Sequence, residues 1–207
     1  MHTFKWLISL PLFLSLAFPV NGQHSDQPQT LTGDIHTNSG YGGPVIKYTM
    51  INDEGALLVG GYGGWFINDA IMLGIGGYGL TSDIPVADQD RTDTTTAMTY
   101  DLGYGGLMLE FTVKSKKLIH ISFGSLIGGG GIVQISKNSY DVNETSLDGG
   151  GYFVTEPFLN LELNITRFFR ISAGGGYRFT VGTYSQGITA EDLNTFSGNL
   201  AFKFGWF

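Results

Sequence analysis

Apolar residues recur at every second position of the C-terminal segment, residues 195–207. One face of this segment carries Phe196, Leu200, Phe202, Phe204 and Trp206. The opposite face carries Ser197, Asn199 and Lys203. A period of two is that of a β-strand, whose successive side chains point to opposite faces. The chain therefore ends in a predicted strand with one apolar and one polar face.

Residues 1–22 have the layout of a secretory signal peptide. Lys5 supplies a positive charge, residues 6–20 are largely apolar, and Val20-Asn21-Gly22 precedes an expected cleavage before Gln23. Residues 23–39 are polar and show no periodicity, so we expect a flexible periplasmic lead-in. The chain contains no cysteine, which excludes a lipoprotein anchor, a disulfide framework and a thiolate metal site.

The composition is unusual for a soluble domain. Charged residues make up 14% of the chain, whereas soluble domains average about 25%. Glycines number 32, and the net charge of −7 argues against nucleic acid as a partner. Near-balanced apolar and polar content is typical of membrane barrels, whose strands face lipid and lumen by turns.

Eight segments with alternating apolar residues follow the lead-in, and each has the ~9–11 residues that a tilted strand needs to cross a bilayer. They span residues 40–51, 55–67, 70–82, 96–113, 118–133, 152–166, 168–181 and 195–207. The pattern predicts an all-β chain, an eight-stranded antiparallel up-and-down transmembrane β-barrel over residues 40–207.

The connections alternate between short turns and longer polar loops. The short turns are residues 68–69, 114–117 and 166–167, and the longer loops are residues 83–95, 134–151 and 182–194. Asn52 to Glu54 would be one short external loop. Carboxylates are in excess in the loops, and lysine and arginine are in excess in the turns. This alternation is typical of outer-membrane barrels, with both termini on the short-turn side.

The polar strand faces must point into the barrel, because Arg or Lys facing mid-bilayer lipid costs roughly 2–4 kcal/mol. The predicted lumenal charge network comprises Lys47, Asp101, Glu110, His120, Glu156, Glu162, Arg170, Arg178 and Lys203. An eight-stranded barrel is just wide enough for side chains to fill it. Unpaired buried charges are costly, so we expect paired charges and a plugged lumen.

The turn between the sixth and seventh segments predicts a register. If Ile165 faces Phe169, then Asn164 faces Arg170, and Glu156 and Arg178 oppose each other on the same face of the sheet.

The strand number, the loop alternation and the C-terminal run Leu200 to Phe207 resemble the small eight-stranded outer-membrane barrels, the family of OmpX and the OmpA membrane domain. The resemblance covers residues 40–207. It implies a location in the Gram-negative outer membrane, contact with outer-membrane lipid, and assembly by periplasmic chaperones and the barrel-assembly machinery. The family's insertion signal usually ends on an aromatic in phase with the lipid-facing positions. Here Phe207 is one residue out of phase with Trp206, so either Trp206 takes that role or the strand end is bulged.

Residues 74–79 match the G-x-G-x-x-G pattern, but an alternating strand runs through them and a polar loop follows. A dinucleotide site needs a following helix. Because glycine–aromatic clusters recur in several segments, a structural role is expected, and no cofactor is predicted. The aspartates of residues 83–93 fit no known Ca²⁺ loop, so no metal is predicted either.

A catalytic site would have to involve His120, with Ser122 and Glu110 nearby on neighbouring strands. We favour an interior hydrogen-bonded histidine and predict a non-catalytic, porin-like outer-membrane protein. Its acidic loops would serve adhesion, binding of an unidentified extracellular ligand, or envelope integrity. The alternatives are a lipid A acyltransferase- or deacylase-like enzyme and a soluble periplasmic lipocalin-like binding barrel.

Overall fold

The computed structural model describes residues 39–67, 70–92, 97–136, 149–182 and 184–207. The expected signal peptide 1–22, the lead-in 23–39 apart from Ser39, and the expected turn at residues 68–69 lie outside the described residues. Most of the expected loop 134–151 also lies outside them.

Ten β-strands make up most of the described chain. They are β1 (Gly40–Ile51), β2 (Glu54–Ile67), β3 (Ile71–Leu80), β4 (Ile84–Pro85), β5 (Met98–Val113), β6 (Ile119–Ser136), β7 (Gly149–Asn164), β8 (Phe169–Tyr177), β9 (Phe179–Gly182) and β10 (Phe196–Trp206). A single 3-10 turn, Asp88–Asp90, and a short helix α1, Ala190–Leu193, lie in the described parts of two loops. Among the described residues, no helix has the length and apolar character of a membrane span.

Every pairing between strands is antiparallel, and the sheet closes on itself. The order runs β3-β2-β1-β10-β8-β7-β6-β5, and β3 pairs with β5 to complete the circle. Strand β4 is a two-residue extension beside β5 within a loop, and β9 continues β8 along β7. The chain is therefore a closed eight-stranded up-and-down barrel, as the alternation predicts.

The two sheet faces differ sharply in polarity. Exposed side chains on the outer face form an apolar belt that includes Leu73, Ile75, Leu107, Ile121, Phe123, Leu159, Leu161 and Phe204. The intervening positions point inward and carry the buried charged and tyrosine side chains. This is the sidedness of a barrel that stands in lipid. A soluble lipocalin-like barrel would need the opposite arrangement.

Two local predictions about the connections are confirmed. Ile51 pairs with Glu54 across a two-residue turn in which Asn52 and Asp53 have positive φ values of 51° and 61°. Positive φ at both central positions is what a tight type I′ hairpin requires. Asn164 pairs with Arg170 across the β7–β8 turn, which is the register predicted from the sequence.

The seventh barrel strand is interrupted, which the sequence did not indicate. Arg178 separates β8 from β9, although both keep the same register against β7. The Arg178 backbone N–H donates to the carbonyl of Thr195. Two residues further on, the Asn194 side chain replaces a backbone partner from the neighbouring strand. Its Oδ1 accepts a hydrogen bond from the backbone N–H of Thr180 at 2.6 Å.

Inward-facing glycines make room for tyrosines on the neighbouring strand. Tyr62 pairs with Gly76, and Gly130 lies between Tyr104 and Tyr152 on the two flanking strands. A Cβ on Gly130 would lie 2.6 Å from Tyr104 Cβ and 2.6 Å from Tyr152 Cζ. The glycines therefore let aromatic rings lie flat over the backbone, which explains their recurrence at strand middles.

Candidate functional site: the charged lumen

The lower half of the lumen, on the short-turn side, is organised around Lys203 of β10. Its Nζ donates to both carboxylate oxygens of Glu110 at 2.9 Å and also to Glu162. Tyr41 donates to Glu110 Oε1 at 2.8 Å, and Tyr62 is 3.3 Å from Oε2. Since β10, β5 and β7 stand at separate places around the barrel, these contacts tie its walls together across the interior.

Glu162 of β7 is the acceptor for several further donors. Ser122 donates to its Oε1 at 2.6 Å, His120 Nε2 is 3.0 Å from its Oε2, and Arg170 Nη1 is 3.7 Å from the same oxygen. The other ring nitrogen of His120 is 3.1 Å from the Lys117 carbonyl. Both His120 nitrogens and the Ser122 hydroxyl are thus committed to structural hydrogen bonds.

The upper half contains a second ion pair, between Lys47 of β1 and Glu156 of β7. The Lys47 Nζ lies 2.8 Å from Glu156 Oε1, which also accepts from Ser197 at 2.8 Å. Tyr104 donates to Glu156 Oε2 at 2.7 Å. The lysine also lies 3.6 Å from the ring centroid of Tyr78, a cation–π distance. Every charged atom of this pair therefore has a partner.

Apolar side chains also point into the lumen between the two clusters. Met108 and Leu126 are buried there, and Phe158 packs against this core. A void of about 10 Å³ remains beside Glu156 and Asn160, roughly the space of one water molecule.

The short-turn end of the lumen is covered by the C-terminal aromatic. The Phe207 ring lies 3.7 Å from the Arg170 guanidinium and 5.6 Å from the Tyr41 ring, whereas Trp206 is exposed on the outer face. Because Phe207 follows Trp206 directly, the two side chains point in opposite directions. Trp206 faces outward with Phe204, and Phe207 packs into the barrel end.

The loop end is covered by residues from two loops. Leu193 and Ile188, from the β9–β10 loop, are buried in the core, as is Ile84 of the β3–β5 loop. Tyr100 donates to the Gln186 carbonyl at 2.8 Å, and Gln134 Nε2 donates to the carbonyls of Asp90 and Gln186. These bonds hold both loops over the barrel mouth.

Eight of the nine side chains in the predicted lumenal network are buried inside the barrel: Lys47, Glu110, His120, Glu156, Glu162, Arg170, Arg178 and Lys203. Asp101 is the exception and corrects the prediction. It is exposed on the outer face, because the unbroken alternation of β5 that points Tyr100 and Leu102 inward points Asp101 outward with Leu107. It lies near the loop end of β5, where a charge facing outward is less costly than at mid-bilayer.

Glu156 and Arg178 hold opposing positions, as predicted, because the pairs on either side of them, Phe158 with Gly176 and Thr155 with Phe179, follow one register. Their side chains nevertheless bind different partners. Glu156 and Arg178 both point inward, but the Glu156 oxygens bind Lys47, Tyr104 and Ser197. Arg178 Nε instead donates to the Leu193 carbonyl at 2.8 Å. The lumenal tyrosines were not predicted as part of the site. They stand at inward-facing positions of their strands and beside glycines, and this pattern in the sequence could have identified them.

The G-x-G-x-x-G run lies within β3 and has a strand on either side of it in the sheet. Among the described residues, no group of three or more histidine, aspartate or glutamate side chains could hold a metal ion.

The sequence matches no protein-family model and no curated protein. Solved structures do match. Neisserial surface protein A aligns with a TM-score of 0.55 at 10% identity, covering 81% of this chain and 95% of that one. Ail, the attachment invasion locus protein of Yersinia pestis, aligns with a TM-score of 0.40 at 10% identity, covering 81% and 95%. A major outer membrane protein from Thermus thermophilus gives 0.47 at 7% identity, covering 81% and 99%. The last two scores fall below 0.5, so the likeness of fold rests on the first.

Proposed function

We propose that this chain, which has the fold of the small eight-stranded outer-membrane barrels, is an integral outer-membrane protein with a non-conducting, non-catalytic lumen. Its loops would form the binding surface at the cell exterior, serving adhesion, recognition or envelope integrity. The barrel would hold those loops in place, because binding residues often lie on loops that a rigid scaffold positions.

The ionic core supports the non-conducting lumen more than any other observation. Lys203, Glu110 and Glu162 bridge three strands at one level, and Lys47 and Glu156 bridge two at another. All five side chains are almost completely buried. Opening a path for ions would require separating these pairs, and each buried charge left without a partner costs several kcal/mol.

Charge on the loop side supports a role in binding. Asp53, Glu54, Asp88 and Glu191 are exposed there, whereas Lys116 and Arg167 are exposed in the turns at the other end. An acidic outer rim would favour partners with a basic surface through electrostatic attraction.

Conductance across a planar lipid bilayer tests the non-conducting lumen. The protein is folded in detergent, inserted, and recorded at fixed salt and voltage. We expect no stable channel. A reproducible large conductance from the wild-type protein would refute the proposal. Fractionation with the outer membrane, together with heat-modifiable migration in gels, tests the location.

The alternative function is that of an enzyme that modifies lipid A, and its catalytic site would have to include His120. Ser122, the potential nucleophile on the same strand, donates to Glu162, and both side chains are buried. Nucleophile activation needs the base within hydrogen-bonding reach of the nucleophile. Lipid A composition should therefore be identical in cells that express wild type or His120→Ala, and a change that depends on His120 would support the enzyme.

A further inference from the structure

The lumen contains more positive than negative groups. With Asp101 outside, the buried cations Lys47, Arg170, Arg178 and Lys203 face the buried carboxylates Glu110, Glu156 and Glu162. In the lower cluster Arg170 and Lys203 meet two carboxylates, and His120 also contacts one of them, Glu162. In the upper cluster Lys47 and Arg178 share only Glu156, so one positive charge is left over.

Arg178 carries this excess charge. The side chain is 1% exposed, and its Nε donates to the Leu193 carbonyl. Its Nη2 is buried and has no hydrogen-bond partner among the described residues. The carboxylate of Glu156 is already occupied at both oxygens by Lys47, Tyr104 and Ser197. Arg170 Nε also lacks an acceptor, but that guanidinium faces Glu162.

A second donor without an acceptor lies in the same part of the lumen. The Tyr152 hydroxyl is buried and has no partner among the described residues. Its ring crosses Gly130 toward Tyr104, and the Arg178 guanidinium carbon lies 5.5 Å from the Tyr104 ring centroid. On its other side Tyr152 stacks on Tyr184 at 6.1 Å. The Arg178 and Tyr152 side chains therefore both lie near Tyr104, beneath the loop that carries α1.

We propose that Arg178 and Tyr152 bind a small monovalent anion, of the size and charge of chloride, in the upper lumen. The Arg178 guanidinium is a permanent cation that can only donate, and the Tyr152 hydroxyl has a proton to donate. A water molecule would satisfy the hydrogen bonds but leave the charge unbalanced. A monovalent anion satisfies both and makes the upper cluster neutral. Because both donor atoms are closed off from solvent, the anion is enclosed as the chain folds.

The test compares unfolding in different anions. The full chain is folded in detergent in sodium chloride, sodium bromide or sodium gluconate at constant ionic strength, and the urea midpoint of unfolding is measured. An anion that binds only the folded state raises stability with the logarithm of its concentration once binding saturates. We expect higher midpoints in the two halides than in gluconate, rising with halide concentration.

Three variants make the result specific. Arg178→Met should abolish the halide dependence, and Tyr152→Phe, which removes only one hydroxyl, should shift it to higher halide concentration. Arg170→Met, which removes a buried cation that already faces a carboxylate, should keep it. Bromide should give an anomalous scattering peak beside Arg178 Nη2 in a crystal. A wild-type protein without halide dependence, a dependence that survives both Arg178→Met and Tyr152→Phe, or ordered water at the bromide position would overturn the proposal.

Discussion

Lys203 Nζ lies 2.9 Å from each carboxylate oxygen of Glu110, a residue 93 positions earlier in the chain. The two belong to β10 and β5, which are not neighbours in the sheet. The bond therefore crosses the lumen. Lys203 and Glu110 can pair only when β5 and β10 have both taken their places in the barrel. Closing the barrel therefore also neutralises these two charges in its interior.

Removing the Lys203 ammonium should strongly destabilise the barrel. Lys203→Met keeps most of the side-chain volume but leaves Glu110 buried without its cation and removes one of the donors to Glu162. Breaking a buried ion pair in this way costs about 3–5 kcal/mol. The free energy of unfolding in detergent, from urea titration, measures the effect. Lys116→Met, an exposed turn lysine, is the matched control and should change it by less than about 0.5 kcal/mol. Equal effects of the two substitutions would show that the lumenal pair does not stabilise the fold.

Two glycines on the same strand should respond differently to alanine. A Cβ on Gly74 would lie 2.0 Å from the Gly63 carbonyl oxygen, whereas a Cβ on Gly79 would have no atom within 4 Å. Gly74→Ala forces backbone movement between β2 and β3 and should cost about 1–3 kcal/mol or prevent folding. Gly79→Ala should leave the urea midpoint almost unchanged. If Gly74→Ala folds with wild-type stability, the close packing of these strands is wrong.

Adjacent cysteine substitutions on β8 should report opposite sides of the wall. Ser172 is completely buried in the lumen, Ala173 is exposed on the outer face, and the chain has no native cysteine. In lipid vesicles, a thiol reagent confined to the hydrocarbon should label Ala173→Cys and leave Ser172→Cys unmodified. Mass spectrometry after labelling gives the extent of reaction. Preferential labelling at position 172 would reverse the assignment of faces for the entire barrel.

Much of this architecture could be predicted from alternation alone, because side-chain direction in a strand depends only on parity. The parity of Glu110, Glu162 and Lys203 placed all three in the lumen, and the turn at residues 166–167 predicted the pairing of Asn164 with Arg170. The prediction is wrong for Asp101, because its parity along β5 groups it with the outward-facing Leu107. The interruption of the strand at Arg178 could not be predicted from the sequence. It depends on hydrogen bonds to Thr195 and Asn194, which precede β10 in the chain.

The partners within the lumen could not be predicted in the same way. Lys47 and Glu156 are 109 positions apart, and parity says only that both point inward. Which inward groups meet depends on the stagger and tilt of the strands when the sheet closes. Those quantities place Lys47, and not Arg178, against the Glu156 carboxylate.

The amino-acid sequence by itself determined the number of strands, their antiparallel succession and the face on which almost every side chain lies. These are local properties, set by the period of two and by the tight turns. Only the tertiary structure decided which buried charges are neutralised, that Phe207 turns inward while Trp206 faces outward, and that Arg178 keeps an unused donor. These depend on distances across the closed barrel, which exist only once its first and last strands, β1 and β10, have paired.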